Sequence, residues 1–477
     1  MRRDELAYAT IGELAPQIQR RELSPVELTD LILERIDRLN PKLDAFITVT
    51  ADLARAQART AEAELASGHY RGPLHGVPVS LKDLYLTAGI RTTGGSKILA
   101  DYRPTEDATV TRRLREAGAI LVGKANMHEF AYGTTTINPH YGAARNPWDP
   151  ERITAGSSGG SGAAVAAGLS YVSMGSETGF SIRRPAAFCG VVGFKPTYGR
   201  ISRHGMLPAA WSLDHAGPLV RSVEDAALVL NALAGPDPRD PASYAGAAPD
   251  FAAQLGGGIR GLRIGLPRQH YAGQSEPAVE AAFDEAVQVI EGLGAIPVEV
   301  RLPRVAYATA ASSTIMYSEV TAAQARWIKE RPDDYGPDVR SRIQLGFAVT
   351  AVDYARAQRI RRWIAEEVAA VFDQVDVLAS PTTPQVATRI ADSPAALNDP
   401  GFVVAAGPFN LLRLYALIGI PAISIPCGFS PEGLPIGLSL ASRAYAEATL
   451  LRAGRAYEAA RGRIQNPESR IQNWKDG

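Results

Sequence analysis

The stretch AGSSGGSGAAVAAGLSYVSMGSETGFSIRRP, residues 155–185, runs from a glycine-serine loop through a helix-forming segment and a short strand to a second glycine turn. Ala163-Ala164-Val165-Ala166-Ala167 is a strong helix former, so the spacing predicts a helix over about 161–168. Tyr171 to Met174 then reads as a strand. The same alternation continues outward. Upstream, Gly76 to Leu81 reads as a buried strand, Asp107 to Ala117 as a helix and Ala119 to Val122 as a strand. Downstream, Leu262 to Leu266, Ile296 to Val300, Val375 to Ala379 and Ala422 to Pro426 read as strands, with helices at Ala278 to Leu293 and Ala446 to Ala460. Alternating elements of this kind predict an α/β protein: one large α/β/α sandwich whose mixed central sheet is covered by helices.

Flanking segments follow from simpler signals. Ser24-Pro25-Val26-Glu27 has the residue types of a capping box with proline at the first helical position, and Leu28, Leu31, Ile32, Ile36 and Leu39 mark the buried face of the helix it opens. Pro41 is expected to end that helix. An alanine-rich helix follows over 51–66. Residues 1–67 thus form N-terminal helices, about 70–235 the core, and about 303–372 a charged helical excursion. All belong to one domain over 1–463, and 464–477 is expected as a polar surface tail. At about 150 residues per domain the 477 residues would suggest three units. The motifs described next, spread from position 82 past position 430, favour one.

Composition excludes several function classes. Hydrophobic residues make up 46% and charged residues 21%, so the chain can bury a core. Fifty basic and fifty acidic side chains cancel, which argues against nucleic acid or an anionic membrane as partner. No stretch approaches the ~20 apolar residues of a membrane span, and MRRDELAYATIGEL lacks the apolar core of a secretory signal. Two cysteines, Cys189 and Cys427, rule out a disulfide framework and a cysteine-based zinc site, and suit the cytoplasm. Only seven of the fifty basic residues are lysine, so a lysine within an apolar run asks for an explanation.

Three clusters carry candidate chemistry. The 155–162 loop could be a flexible linker, but it opens directly onto a helix, whose free N–H groups suit an oxyanion. It lacks the Gly-Lys-Ser/Thr of a P-loop, and its G-x-S-x-G spacing has no strand before it, as a nucleophile elbow would require. The second cluster, Gly175-Ser176-Glu177-Thr178-Gly179-Phe180-Ser181-Ile182-Arg183-Arg184-Pro185, is either a surface turn or a nest of N–H groups around a serine. In the third, Lys82 ends the apolar run Val77-Pro78-Val79-Ser80-Leu81. Desolvation there would make it a general base; the alternative is an ordinary salt bridge to Asp83.

Taken in order, these clusters resemble the amidase signature family of hydrolases, whose core is a Gly-Gly-Ser-Ser-Gly-Gly-Ser loop followed by Gly-Ser-Asp-Thr-Gly-Gly-Ser-Ile-Arg. The resemblance continues through Pro185-Ala186-Ala187-Phe188-Cys189-Gly190 and Gly193-Phe194-Lys195-Pro196-Thr197-Tyr198-Gly199-Arg200. Lys124-Ala125-Asn126-Met127-His128-Glu129-Phe130, Trp211-Ser212-Leu213-Asp214-His215 and Gly433-Leu434-Pro435-Ile436-Gly437 also match family segments. It implies a Ser–Ser–Lys triad: Ser181 as nucleophile, Ser157 as the bridging serine after a cis peptide, and Lys82 as base. The backbone N–H groups of Thr178, Gly179, Phe180 and Ser181 would form the oxyanion hole. No metal or organic cofactor is implied.

Three positions depart from the family pattern. Glu177 stands for Asp, Phe180 for a glycine, and Ala155 for a glycine. The Phe180 ring is expected in the substrate pocket, favouring apolar or aromatic substrates. Phe130, Tyr132 and Thr134 are further pocket candidates. Arg184 is expected either to meet an acidic substrate or to pair with Glu177.

The resemblance implies a stand-alone amidase that cleaves small linear amides, with ester or carbamate side activity. The missing span and signal lead to the expectation of a soluble cytoplasmic protein, and a homodimer is the expected assembly. Two alternatives stay open: the glutaminase subunit of a tRNA-dependent amidotransferase, which needs partner subunits, and a non-catalytic binding homologue.

Overall fold

A computed structural model describes residues 3–393, 410–462 and 466–474. Its centre is an eleven-stranded mixed sheet. From one edge the strands are Phe46–Val49, Ile120–Ala125, Pro78–Lys82, Val172–Glu177, His215–Val220 and Val192–Lys195, and then Ala422–Phe429, Pro435–Ser442, Val377–Pro381, Arg263–Leu266 and Ile296–Glu299. Pro78–Lys82 runs parallel to both its neighbours. The strands between Val172–Glu177 and Val377–Pro381 pair antiparallel, and the far edge is parallel again. With helices packed against this sheet, the chain is an α/β protein of the expected layered kind.

The parallel pair explains where a site can form. Ser80 lies opposite Ser173 and Leu81 opposite Met174, so both strands end at the same edge of the sheet. Lys82 ends one and Glu177 the other, and the Thr178–Ile182 turn leaves from that edge, where ligands bind in open α/β sheets. The helix Gly159–Ala166 is buried along its whole length. Glycine at 160 is required by close approach, because a Cβ there would sit 2.4 Å from the Asn126 carbonyl oxygen and 2.6 Å from that of Ala45.

Several boundaries differ from expectation for identifiable reasons. The helix opened by Ser24 spans Pro25–Leu43 and runs through Pro41, ending at Asp44 in the left-handed region. Leu43 is fully buried, so packing of the last turn holds the helix past the proline. Ser24 caps the amides of Val26 and Glu27, while its hydroxyl meets Glu62. Strands His215–Val220, Val192–Lys195 and Pro435–Ser442 went unread because they are fully buried and show no alternation. Part of the expected surface tail is docked. A short helix, Glu468–Gln472, places Glu468 2.7 Å from both Arg35 and the Tyr8 hydroxyl and buries Ile471. Residues 464, 465 and 475–477 of that tail lie outside the described residues.

Between 303 and 371 the chain is mostly helical, and the helices Pro337–Gly346 and Ala351–Val371 both pack on Ala308–Gln324. Asn410–Leu417 also packs on Ala308–Gln324. Among the described residues no helix is long and apolar enough to cross a membrane.

Candidate active site

Lys82 is fully buried, and its Nζ donates to three hydroxyls: Ser157 at 2.7 Å, Ser158 at 2.9 Å and Ser176 at 2.9 Å. Its neighbour Asp83 is not its partner. Asp83 lies 3.1 Å from Lys124, which is equally buried. Burial pushes the Lys82 amine well below its ordinary value, and the charges of Asp214 and Glu177 only partly oppose that. The hydroxyls differ in what they can do in return. Ser158 Oγ donates to the Ser176 carbonyl at 3.1 Å and accepts the Ser176 amide at 3.2 Å, so its proton is already committed. Ser157 Oγ has no such commitment and is the nearest of the three to Nζ. It follows a cis peptide between Gly156 and Ser157, and Ala155 before it sits at φ +61° where the family carries glycine.

Ser181 lies at the turn after the parallel strand, 6% exposed, and lines a cavity of about 80 Å³. Among the described residues its Oγ makes no hydrogen bond, so the structure joins Lys82 to Ser157 but does not close the link from Ser157 to Ser181. Catalytic hydrogen bonds are often open without substrate. The amides of Thr178, Gly179 and Ser181 take no partner among the described residues. The turn is pinned on both sides instead. Thr178 Oγ1 donates to Asp214 at 2.6 Å, and Glu177 accepts the amides of Ile182 and Arg183, each at 3.1 Å.

Glu177 pairs with Arg183, not Arg184: Arg183 Nε and Nη2 lie 2.8 and 2.6 Å from one carboxylate oxygen. Arg183 is the first residue of a helix and faces back along the turn to the strand end. Arg184 points the other way, with its guanidinium over Phe180 and Phe188 and Nη1 3.2 Å from the Thr134 carbonyl. Asp214, also buried, accepts the Ala209 amide, and burial raises its carboxyl to about 6.

The cavity beside Ser181 is lined by Ala131 to Thr134, the Thr178–Ser181 turn, and side chains from the helical excursion and from Asn410–Leu417. Of the pocket candidates, Tyr132, Thr134 and Phe180 line it. Phe130 and Arg184 do not. Phe130 stacks on Trp327 at 5.6 Å and lies 5.7 Å from Tyr335, holding the Ala131–Thr134 segment from behind. Phe180 does not adopt a positive φ, so the substitution for glycine leaves no backbone strain there. Its ring lies in the cavity wall and carries the Arg413 guanidinium at 5.0 Å.

Sequence reasoning missed Ser158, Ser176, Met316, Tyr317, Arg342 and Arg413. The two serines stand inside motifs already singled out. The other four come from helices with no local motif, and only the tertiary fold brings them to Ser181. Among the described residues there is no cluster of three or more His, Cys, Asp or Glu side chains able to hold a metal.

Comparison with known proteins bears on the family and the fold. The amidase family profile matches residues 27–451. A glutamyl-tRNA(Gln) amidotransferase subunit of Chloroflexus aurantiacus is 44% identical over 95% of this chain and 97% of its own length, and its counterpart in Moorella thermoacetica is 43% identical over the same shares. Among solved structures, a chain from a vestigial protein complex tied to the origins of an s-triazine catabolic enzyme superposes with a TM-score of 0.89. It is 36% identical, over 96% of this chain and all of that one. A bacterial aryl acylamidase of the amidase signature enzymes gives 0.86 at 28% identity, over 97% of each chain. By profile, curated relatives and fold together, the chain is an enzyme of carbon–nitrogen bonds and belongs to the amidase signature family.

Proposed function

We propose that this chain hydrolyses an amide through an acyl-enzyme, with Ser181 as nucleophile, Ser157 as proton bridge and Lys82 as base. The observation that carries the reading is the buried Lys82 amine, bonded to three hydroxyls and to no carboxylate. A buried amine without a counter-ion favours its neutral form, and its lone pair can take the Ser157 proton. Ser157 in turn takes the proton of Ser181, whose oxygen attacks the amide carbonyl carbon. The negative charge that develops on the carbonyl oxygen is received by the backbone amides of the 178–181 turn; one such donor is worth about 3–4 kcal/mol. As the C–N bond breaks, Ser157 returns a proton to the departing nitrogen. Water then attacks the acyl carbon, its proton passes back through Ser157, and Ser181 is regenerated.

The relatives favour one setting for this chemistry. Those from Chloroflexus and Moorella belong to an amidotransferase, which supports the release of ammonia from glutamine in company with partner subunits over a free-standing amidase. The aryl acylamidase shares the fold and keeps the free-standing reading in view. Two buried free thiols, Cys189 and Cys427, support a reducing compartment such as the cytoplasm in either case. Ammonia release from glutamine, measured with the chain alone and beside its genomic neighbours, separates the two settings. Turnover of glutamine only with a partner supports the amidotransferase setting, whereas turnover of simple amides by the chain alone supports the amidase.

A further inference from the structure

Arg413, on the helix Asn410–Leu417, is buried at 6% exposure and lines the Ser181 cavity. Among the described residues it has no ion pair and no hydrogen bond, and its buried Nε is without a partner. Its Nη1 lies against the proposed oxyanion turn, 3.4 Å from where a Cβ on Gly179 would stand. A guanidinium keeps its charge, and an uncompensated buried charge is costly, so this one calls for an anion. The surroundings are of the same character. Arg342 lines the cavity, as do Tyr317 and Tyr132, whose buried hydroxyl also lacks a partner. Arg342 already meets Asp338 at 3.1 Å, which leaves Arg413 as the uncommitted cation. No acidic side chain lines the cavity among the described residues.

Resting on the acyl-enzyme reading above, we infer that the amide cleaved at Ser181 carries a carboxylate, and that Arg413, assisted by the Tyr132 hydroxyl, receives it. A guanidinium fork matches a carboxylate with two parallel hydrogen bonds. Its contact with the 178–181 turn places that carboxylate a few bonds from the scissile carbonyl, so a short chain joins the two. Substrates of this class are monoamides of short dicarboxylic acids and their relatives. An amide bearing an ammonium in place of the carboxylate would meet Arg413 with like charge.

The test uses the whole chain and the monoamides of malonate, succinate and glutarate, each beside the neutral alkyl amide of matching length. The expected result is a kcat/KM at least about 100-fold higher for one of the carboxylate amides, with that ratio falling about 100-fold in Arg413→Met and only partly restored in Arg413→Lys. Equal rates on the anionic and neutral amides, or a ratio unmoved by Arg413→Met, would overturn the inference. Should Arg413→Met fail to fold, the wild-type enzyme decides alone. Short dicarboxylates should then slow labelling of Ser181 by a small sulfonyl fluoride, and neutral diamides of the same length should not. Labelling with no such protection overturns the role of Arg413. No labelling at all instead overturns the acyl-enzyme reading on which it rests.

Discussion

Glu177 and Arg183 form a fully buried pair across the turn that carries Ser181, with Arg183 Nε and Nη2 at 2.8 and 2.6 Å from one carboxylate oxygen. The other oxygen takes the amides of Ile182 and Arg183, and Arg183 Nη2 reaches on to the carbonyls of Gly179 and Leu412. One side chain therefore closes the 178–181 turn into a ring and ties it to the helix that bears Arg413. Glutamate makes these contacts here, at a position where the family pattern carries aspartate.

Breaking that pair should be costly. Glu177→Gln leaves the Arg183 charge buried and under-compensated, and is expected to lower stability by about 3–5 kcal/mol. Urea unfolding followed by tryptophan fluorescence checks this. Glu177→Asp keeps the charge and should lose less, with the larger deficit in kcat because the turn is no longer held taut. A Glu177→Gln midpoint equal to wild type would remove the structural role assigned to the pair.

Lys82→Met removes the amine but keeps the apolar stem, and Ser157→Ala removes the bridge. Each should cut kcat by about three orders of magnitude or more, with a double variant little worse than either single one, because the groups act as a unit. Ser176→Ala is expected to cost much less, since Ser176 accepts from Lys82 without lying on the proton path. Steady-state kinetics of the four variants decides.

The pH profile follows from Lys82 and Asp214. Activity needs the neutral amine, so kcat/KM should rise with pH through the depressed lysine value, well below 10.5. The charge of Asp214 opposes that depression. Asp214→Asn removes it while keeping an acceptor for Thr178, and should move the acid limb to lower pH. Asp214 itself, raised to about 6 from 3.8, binds its proton more tightly when folded. Its contribution to stability is therefore present below about pH 4 and lost as pH rises to about 6. Asp214→Asn should flatten the stability curve across that window. An acid limb that moves up, or stays in place, contradicts the assignment.

Phe180→Gly removes the platform under Arg413 and Arg184, a contact worth about 0.5–2 kcal/mol at each. Substrate ranking and KM should change more than kcat. An unchanged ranking would mean that the ring does not help to position the pocket's charge.

How much of this was legible in the sequence depends on the range of each signal. Lys82, Ser157 and Ser181 stand in contiguous motifs on a parallel βαβ core, where strand periodicity and glycine loops announce themselves locally. Arg413 could not be read that way, because Asn410–Leu417 is a short apolar helix in which an arginine looks like an ordinary interruption. Only the tertiary fold brings it to Gly179. Pairing Glu177 with Arg184 failed by one residue, since the choice turns on where the helix after Ser181 begins. The proline at 41 and the docked Glu468 were misread for one reason: burial against distant segments overrode a local signal.

Everything proposed for the site depends on Ser181 forming the acyl-enzyme with Lys82 as its base. Intact-mass and peptide mass spectrometry of the chain treated with a small sulfonyl fluoride reads that dependence without a known substrate. A single adduct is expected on the Ser181 peptide, lost in Ser181→Ala and formed at least about 100-fold more slowly in Lys82→Met. An adduct on another residue, or Lys82→Met labelling at the wild-type rate, would refute the mechanism.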